Sequence, residues 1–375
     1  MHRIFLFGTL RHVPLLRSVA GTDVSPREAW LEGQSARQVE GADFPVLRRQ
    51  RAGRAEGLLV EVDDDALARL DYYEVPFGYA RQPVQVMTES GPVEAEVYLA
   101  QEGRWSVSGP WSFDAWVARF GDVATRAAPE IMAGRNYVPA ERAALAADTA
   151  WSRAQAELHA GAWHRPRSIG SRKSAENFQL ISRNIEHLDF FALETQRFRH
   201  DSQHDAAPLE VARTVFRAGE AVTVLPYDPM RDRVLLIEQF RVGAAAQNDP
   251  DPWLLEPIAG IVDPGESVEA AGHRETREEA GILLKSLHFI ARYYPSPGGV
   301  AQVLHSYIGL ADLPDGLSQS GGLASEGEDI AVHLVDYAQF ATLLETGELA
   351  NAPIILSAQY LAQNRAGYRA QFSGS

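Results

Sequence analysis

The sequence contains no cysteine, and this absence excludes disulfide bonds, zinc–thiolate sites and thiol nucleophiles. Lysine is almost absent too, since only Lys173 and Lys285 occur. No apolar run approaches the length of about 18 residues that a membrane-spanning helix needs. The N-terminal segment MHRIFLFGTLRHVP has an apolar run too short for the core of a signal peptide. We therefore expect a cytoplasmic protein without a membrane segment.

Acidic residues outnumber basic ones, with 50 Asp and Glu against 35 Lys and Arg and a net charge of −15. Nucleic acids and anionic membranes bind basic faces, so this balance argues against both partners. The length of 375 residues is too great for one ordinary domain and is typical of two. With 45 % hydrophobic residues, the chain has enough apolar side chains for two cores.

The N-terminal part of the chain has the pattern of a small β-rich α+β domain. Residues 2–7 are an apolar run that predicts a buried strand, and Ala55–Val62 predicts another. The apolar residues of Ala66–Tyr73 recur at helical spacing behind an acidic cap. We place this first domain at residues 1–105.

The chain changes character after residue 105. Alanine-rich stretches such as Glu141–Ala160 favour helix, and the Gly-, Pro-, Ser- and Arg-rich residues that follow are typical of a linker. Residues 106–175 are therefore predicted to form a helical connector and linker. From residue 176 to residue 375 strands and helices alternate, which indicates a layered α/β domain.

A cluster of acidic residues lies in this second domain. Ser267 can cap a helix that Gly281 ends, and on that helix Glu275, Glu278 and Glu279 share one face. Carboxylates at this spacing repel one another at neutral pH, so they need partners. Neighbouring arginines and solvent are one set of partners. Divalent metal, which prefers hard oxygen ligands, is the other.

The spacing of the whole run separates these two interpretations. The run resembles the Nudix box at every fixed position. It consists of Gly260, five residues, Glu266, seven residues, and then Arg-Glu-x-x-Glu-Glu-x-Gly with a following apolar residue. The resemblance implies an α/β/α sandwich with a mixed sheet, and an enzyme that splits a nucleoside diphosphate linked to another group. It also implies two or three Mg²⁺ ions, for which Mn²⁺ can substitute. Their expected ligands are Glu275, Glu279 and the carbonyl of Ala259, with Glu278 close by.

The resemblance extends from about residue 178 to residue 364. Over this range the sequence is similar to the ADP-ribose pyrophosphatase branch of the Nudix enzymes. The motifs outside the box are Glu238-Gln-Phe-Arg241, Pro252–Gly260, Ser296-Pro-Gly-Gly299 and Ser325–Ile330. By this resemblance Arg241 contacts a phosphate, and Glu238 and Gly298 belong to the substrate site. Glu326 and Glu328 match two residues of the family, the catalytic base and a residue that acts on the metal ions. The sequence does not show which of the two is the base. One departure is Gln302, where the family usually has an acid.

The same resemblance implies a homodimer. Phe190 and Arg213 match residues that hold adenine between them across a two-fold axis, with the N-terminal strands exchanged between subunits. We therefore expect a shared nucleotide site in a dimer of the Nudix domain.

A second resemblance covers roughly residues 3–100. The motifs Phe5-Leu-Phe7-Gly8-Thr9-Leu10, Gly41–Pro45, Leu70–Glu74 and Tyr79-Ala-Arg81 resemble γ-glutamylcyclotransferase-like domains, which implies a β-barrel with helices. In that family the amides of the turn, here Phe7, Gly8, Thr9 and Leu10, bind a γ-glutamyl carboxylate. A glutamate at the position of Glu74 moves protons as 5-oxoproline forms. Phe7 and Val75 depart from the residues usual there, and an ion pair between Glu74 and Arg81 is the structural alternative.

The sequence thus predicts Mg²⁺-dependent hydrolysis of ADP-ribose to AMP and ribose 5-phosphate. The alternatives are hydrolysis of another nucleoside-diphosphate sugar, such as a GDP-hexose, and a non-catalytic Nudix ligand sensor. An intact box and an acidic surplus favour the enzyme. The N-terminal domain is either a cyclotransferase or a degenerate ligand-binding module. The sequence leaves open the physiological substrate and any communication between the domains.

Overall fold

The computed structural model describes residues 1–74, 77–135, 137–138, 143–166, 168–170, 173–317, 320–322 and 329–372. The chain forms two compact units, Met1–Arg217 and Ala218–Ser375. The division lies inside a strand, so the two strands that precede it belong to the first unit. The predicted boundary at residue 176 stays a prediction.

A closed five-stranded barrel forms the N-terminal part of the first unit. Its strands, in chain order, are β1 (His2–Leu6), β2 (Arg27–Val39), β3 (Pro45–Val62), β4 (Tyr79–Thr88) and β5 (Gly91–Ala100). Their order around the barrel is β3-β1-β5-β4-β2, and β2 pairs back onto β3 to close it. The short strand β6 (Val107–Pro110) extends β2. The barrel predicted from the sequence is therefore confirmed.

Four helices pack on the barrel, and strand β1 shows why. Phe5 and Phe7 point into the barrel core, whereas Ile4 and Leu6 belong to the core formed with the helices. The alternation of side chains along a strand thus makes β1 apolar on both faces. The helices are α1 (Val13–Ala20), α2 (Asp64–Glu74), α3 (Phe113–Gly134) and α4 (Ala143–Ala162).

Three antiparallel strands complete the first unit. They are β7 (Phe178–Leu188), β8 (Ala192–His200) and the first part of β9 (Leu209–Asp228). Strand β8 lies between the other two, with Ala192 opposite Arg217 and Gln196 opposite Arg213. The outer part of this small sheet exposes apolar side chains such as Phe178 and Leu209.

The second unit is built on a sheet in the order β13-β14-β9-β10-β16-β15, with β11 paired to β10 and β12 paired to β9. Its remaining strands are β10 (Arg233–Phe240), β11 (Trp253–Glu256), β12 (Ile258–Ile261), β13 (Leu284–Tyr293), β14 (Val300–Ala311), β15 (Ser320–Gly321) and β16 (Ile330–Asp336). Its helices are α5 (Val242–Ala246), α6 (Val268–Ala280), α7 (Tyr337–Thr346) and α8 (Ala352–Phe372).

Helices cover both faces of this sheet. On strand β9, Val222 and Val224 pack in the core beneath α6, whereas Leu225 and Tyr227 pack in the core beneath α7 and α8. The second unit is therefore the predicted α/β/α sandwich. No helix in the described part of the chain is long and apolar enough to cross a membrane.

Candidate active site

Helix α6 begins and ends at the residues that the sequence indicates. The hydroxyl of Ser267 accepts a hydrogen bond from the amide of Ala270 at 3.1 Å. Gly281 follows the last helical residue in the left-handed conformation, with φ of 66°, which a glycine adopts without strain. These two ends fix the register of the acidic residues between them.

Two of those acidic residues lie directly against strand β12. Glu279 is 1 % exposed, and its Oε2 accepts a hydrogen bond from the amide of Ala259 at 3.2 Å. A Cβ at Gly260 would lie 1.8 Å from Oε1 of Glu275, so the carboxyl group occupies the space that a side chain would need. The structure thus brings Glu275, Glu279 and Ala259 together. Their role as metal ligands stays a prediction.

Arg274 is the centre of the ionic contacts around the helix. Its Nη1 donates to Glu275 at 2.7 Å and to Glu278 at 3.0 Å, and its Nη2 donates to Glu266 at 3.0 Å. Nη2 also donates to the carbonyl of Ile261 at 3.0 Å. Burial alone would lower the pKa of Arg274, but the hydrogen bond that it donates to Glu266 and the charge of Glu275 raise the pKa above its ordinary value. Arg274 therefore stays charged and compensates the carboxylates.

The donor atoms of this helix are of the type that binds a hard divalent cation, and in the structure two of the carboxylates contact the guanidinium of Arg274. Among the described residues, no three Asp, Glu or His side chains converge closely enough to hold a metal ion. Arg274 explains this finding, because two of the carboxylates are turned toward the same Nη1 atom. All the side-chain donors are carboxylate oxygens, which Mg²⁺ prefers.

The side chains predicted to bind substrate near the box lie on β10 and beyond it. Nε of Arg241 donates to the buried Glu256 at 2.8 Å, so this cation is already paired with a carboxylate. Glu238 contacts Nε2 of His333 on β16 at 2.8 Å. Gly298 lies in the turn between β13 and β14. Glu326 and Glu328 lie outside the described residues.

Phe190 and Arg213 lie in the small three-stranded sheet of the first unit. Phe190 is 43 % exposed and stands at the turn between β7 and β8. Arg213 lies four residues along β9 from Arg217, which pairs with the start of β8. At about 3.3 Å per residue this is roughly 13 Å along the strand. The contact of both residues with one base across a dimer stays a prediction.

The turn after β1 and the end of α2 form a pocket in the barrel domain. Phe7, Gly8, Thr9, Leu10 and Glu74 all line it, as the second resemblance requires. The remaining wall is largely aromatic, from Phe5, Phe44, Phe77, Tyr79 and Tyr98. The hydroxyl of Tyr79 donates to the carbonyl of Pro45 at 2.7 Å, which fixes one side of the pocket.

Glu74 is the one carboxyl group among the described lining residues of this pocket. It is 8 % exposed, and burial raises its pKa to about 8. The alternative ion pair with Arg81 is absent, because Arg81 donates instead to Asp71 at 2.9 Å and to Glu96 at 2.8 Å. A buried carboxyl with a pKa near neutrality is suited to proton transfer.

Two features of these sites escape prediction from the sequence. Phe77 lies just before β4 and Tyr98 lies on β5, and a single aromatic residue has no local pattern that marks it as pocket lining. The second feature is the central position of Arg274. The sequence shows that Arg274 belongs to the box, but it does not show that its side chain contacts Glu266 and not solvent.

The comparisons with known proteins agree with this architecture. Residues 4–113 match the family described as gamma-glutamyl cyclotransferase, AIG2-like, and residues 217–357 match the NUDIX domain family. Together with the barrel pocket and the acidic helix, these matches define a Nudix protein with a cyclotransferase-like N-terminal domain.

Among curated proteins, an ADP-ribose pyrophosphatase of Escherichia coli is 39 % identical over 183 residues, which are 49 % of this chain and 87 % of that protein. An ADP-ribose pyrophosphatase of Haemophilus influenzae is 34 % identical over 54 % of this chain and 94 % of its own length. A GDP-mannose pyrophosphatase of an Enterobacter species is 32 % identical over 40 % of this chain and 76 % of its own length. The chain belongs to the Nudix nucleoside-diphosphate-sugar hydrolases, enzymes that generally use divalent metal ions such as Mg²⁺.

Proposed function

We propose that the Nudix domain hydrolyses ADP-ribose to AMP and ribose 5-phosphate with Mg²⁺. The observation that carries this proposal is the placement of Glu279 and Glu275 against Ala259 and Gly260, where the helix and the start of the box meet. The similarity to the two ADP-ribose pyrophosphatases supports the choice of substrate.

In the proposed reaction, water attacks one phosphorus atom and the bridging P–O bond breaks. The oxygen of water remains on that phosphate, and the other phosphate leaves with the bridging oxygen. The substrate's diphosphate carries about two negative charges that must be neutralised. Bound divalent cations supply that neutralisation and lower the pKa of water. Glu275, Glu279 and the carbonyl of Ala259 would hold these ions, with Glu278 beside them.

The protein groups have separate tasks in this proposal. Arg241, released from Glu256, binds a phosphate oxygen, and Glu238 and Gly298 line the substrate site. Glu326 or Glu328 accepts the proton of the attacking water. Phe190 of one subunit and Arg213 of the other hold the adenine, which requires a homodimer. The exposed apolar side chains of β7 and β9, such as Phe178 and Leu209, support the dimer, because a second subunit would bury this apolar surface.

A substrate panel tests this function. The purified protein would be incubated with Mg²⁺ and either ADP-ribose, GDP-mannose or another ADP-sugar, and the products would be separated by chromatography. We expect ADP-ribose to give the highest kcat/KM, with AMP and ribose 5-phosphate in equal amounts. A preference for GDP-mannose would support the alternative that the GDP-mannose pyrophosphatase relative suggests. No turnover of any nucleotide sugar would overturn the assignment as an active hydrolase.

We propose a second activity for the barrel domain, the cyclisation of a γ-glutamyl amide to 5-oxoproline. The supporting observation is that Glu74, with a pKa of about 8, lines the same pocket as Gly8 and Thr9. The substrate's α-amino nitrogen attacks its own γ-carbonyl carbon, and the bond to the amine breaks. Glu74 accepts a proton from the attacking nitrogen and returns it to the leaving amine. The turn amides bind the α-carboxylate.

Release of 5-oxoproline from a set of γ-glutamyl amines tests this activity in the full chain. We expect turnover of at least one amide and its loss in Glu74→Gln. A protein that binds γ-glutamyl amines without turnover would instead be the degenerate binding module.

A further inference from the structure

The helical connector contacts the turn that carries Phe190. Arg153 of α4 is 2 % exposed, and its Nη1 donates to the carbonyl of Phe190 at 2.7 Å. Its Nη2 donates to the hydroxyl of Thr149 at 3.2 Å, and that hydroxyl lies 3.2 Å from the carbonyl of Ala146 and 3.5 Å from that of Asp189. The turn is therefore held from α4 chiefly through the carbonyl of Phe190.

Arg153 is itself held rigidly by Glu130 of α3. Its Nε donates to Oε1 of Glu130 at 2.7 Å, and both side chains are buried. The other oxygen of Glu130 accepts from Arg217 at 2.6 Å and from Arg183 at 3.2 Å. A buried guanidinium needs such charged partners, and its planar fork directs each donor in a fixed direction. The ion pair with Glu130 thus sets the position of the Arg153 guanidinium.

The side chain of Phe190 has much less support than its backbone. Its ring contacts Phe191 edge-on with centroids 4.8 Å apart, and nearly half of the side chain is exposed. The amide of Asp189 donates to the carbonyl of Phe191 at 3.0 Å, which closes the turn, and the backbone contact from Arg153 lies at its apex. The direction of the ring therefore depends on this turn.

We propose that Arg153 is a positioning residue for the nucleotide base, because it fixes the turn that presents Phe190. This inference rests on the proposed function, in which Phe190 contacts adenine. It assigns the connector a task in the Nudix reaction. The substrates whose binding depends on Arg153 are nucleoside diphosphates, because their base stacks on Phe190.

The test compares two identical substitutions in the same ionic cluster. Arg153→Lys keeps a cation beside Glu130 but removes the fork that reaches Phe190. Arg183→Lys makes the same change at a residue that contacts Glu130 and Glu194 but not the turn. We expect Arg153→Lys to raise KM for ADP-ribose roughly 10-fold with kcat within about 2-fold, and Arg183→Lys to leave both near wild type. Thr149→Val serves as a second variant if Arg153→Lys does not fold.

Two further measurements separate positioning from a general loss of stability. In a Phe190→Ala background, Arg153→Lys should raise KM no further, because a residue that acts through Phe190 has nothing left to position. Amide hydrogen exchange in peptides that cover residues 186–192 should be faster in Arg153→Lys than in Arg183→Lys, whatever substrate the enzyme prefers. Equal exchange in the two variants, or additive effects on KM, would overturn the proposal. Failure of the wild-type protein to hydrolyse ADP-ribose would count against the proposed function instead, since the exchange result does not depend on it.

Discussion

The carboxylate of Glu279 accepts a hydrogen bond from the amide of Ala259 at 3.2 Å, although 20 residues separate them in the chain. This contact joins the end of helix α6 to strand β12, and it places a fully buried acid beside the backbone amide that precedes Gly260.

Replacement of Glu279 by glutamine should reduce kcat by roughly 10²- to 10⁴-fold, because the amide removes a charged oxygen ligand. The hydrogen bond from Ala259 can be kept by the amide oxygen, so the melting temperature should change little. A chelator should abolish wild-type activity reversibly, with Mg²⁺ or Mn²⁺ restoring it. Activity of the variant within a few-fold of wild type would exclude Glu279 as a metal ligand.

Gly260→Ala should impair catalysis more than folding. The new Cβ would lie 1.8 Å from Oε1 of Glu275 and must push that carboxyl group aside, which a flexible side chain can accommodate. We expect a loss of activity of about 10-fold or more with a small change in melting temperature. The matched control is Gly243→Ala, because no described atom lies within 4 Å of a Cβ there. Unchanged activity in Gly260→Ala would show that Glu275 need not occupy this position.

Phe190→Ala and Arg213→Ala should each raise KM for ADP-ribose so far that activity at low substrate concentration is nearly lost, and a mixture of the two should recover that activity. Random exchange of subunits gives about half mixed dimers, each with one intact site, so about a quarter of the sites should be restored. Each variant treated alone is the control. If the subunits exchange and no activity returns, or if the active enzyme sediments as a monomer, the shared site is wrong.

Glu74 should make the folded protein less stable as pH rises. Its pKa is about 8 in the folded state because of burial, above the ordinary value of 4.5 that it regains on unfolding. Between these values the folded state binds more protons, so the free energy of unfolding falls as pH increases. The melting temperature of wild type relative to Glu74→Gln should therefore decline from about pH 5 to about pH 8 and then level off. A constant difference between the two proteins would contradict the raised pKa.

The same substitution separates the two accounts of Glu74. Because Arg81 pairs with Asp71 and Glu96, loss of the Glu74 charge breaks no ion pair with it. Glu74→Gln should thus stop 5-oxoproline formation without destabilising the protein above about pH 8. A clear drop in melting temperature at that pH would indicate a structural partner for Glu74.

The sequence predicts local features well and distant contacts poorly. Ser267 and Gly281 mark the ends of α6 because capping depends on neighbouring residues, and both ends are where the pattern indicates. Strand β2 and helix α3 were not delimited, since β2 alternates weakly and α3 is held by packing on the barrel. The contact of Arg153 with Phe190 joins residues 37 positions apart, and no spacing rule connects them.

The ionic cluster around Glu130 has a consequence for a protein cut by a protease. Peptide-bond cleavage between α4 and β7 would leave Glu130 and Arg153 on one fragment and Arg217 with Glu194 on the other. Separating the fragments would leave buried charges without their partners, which is strongly unfavourable. A nicked chain should therefore elute from a sizing column as one particle and split into two bands only in denaturant.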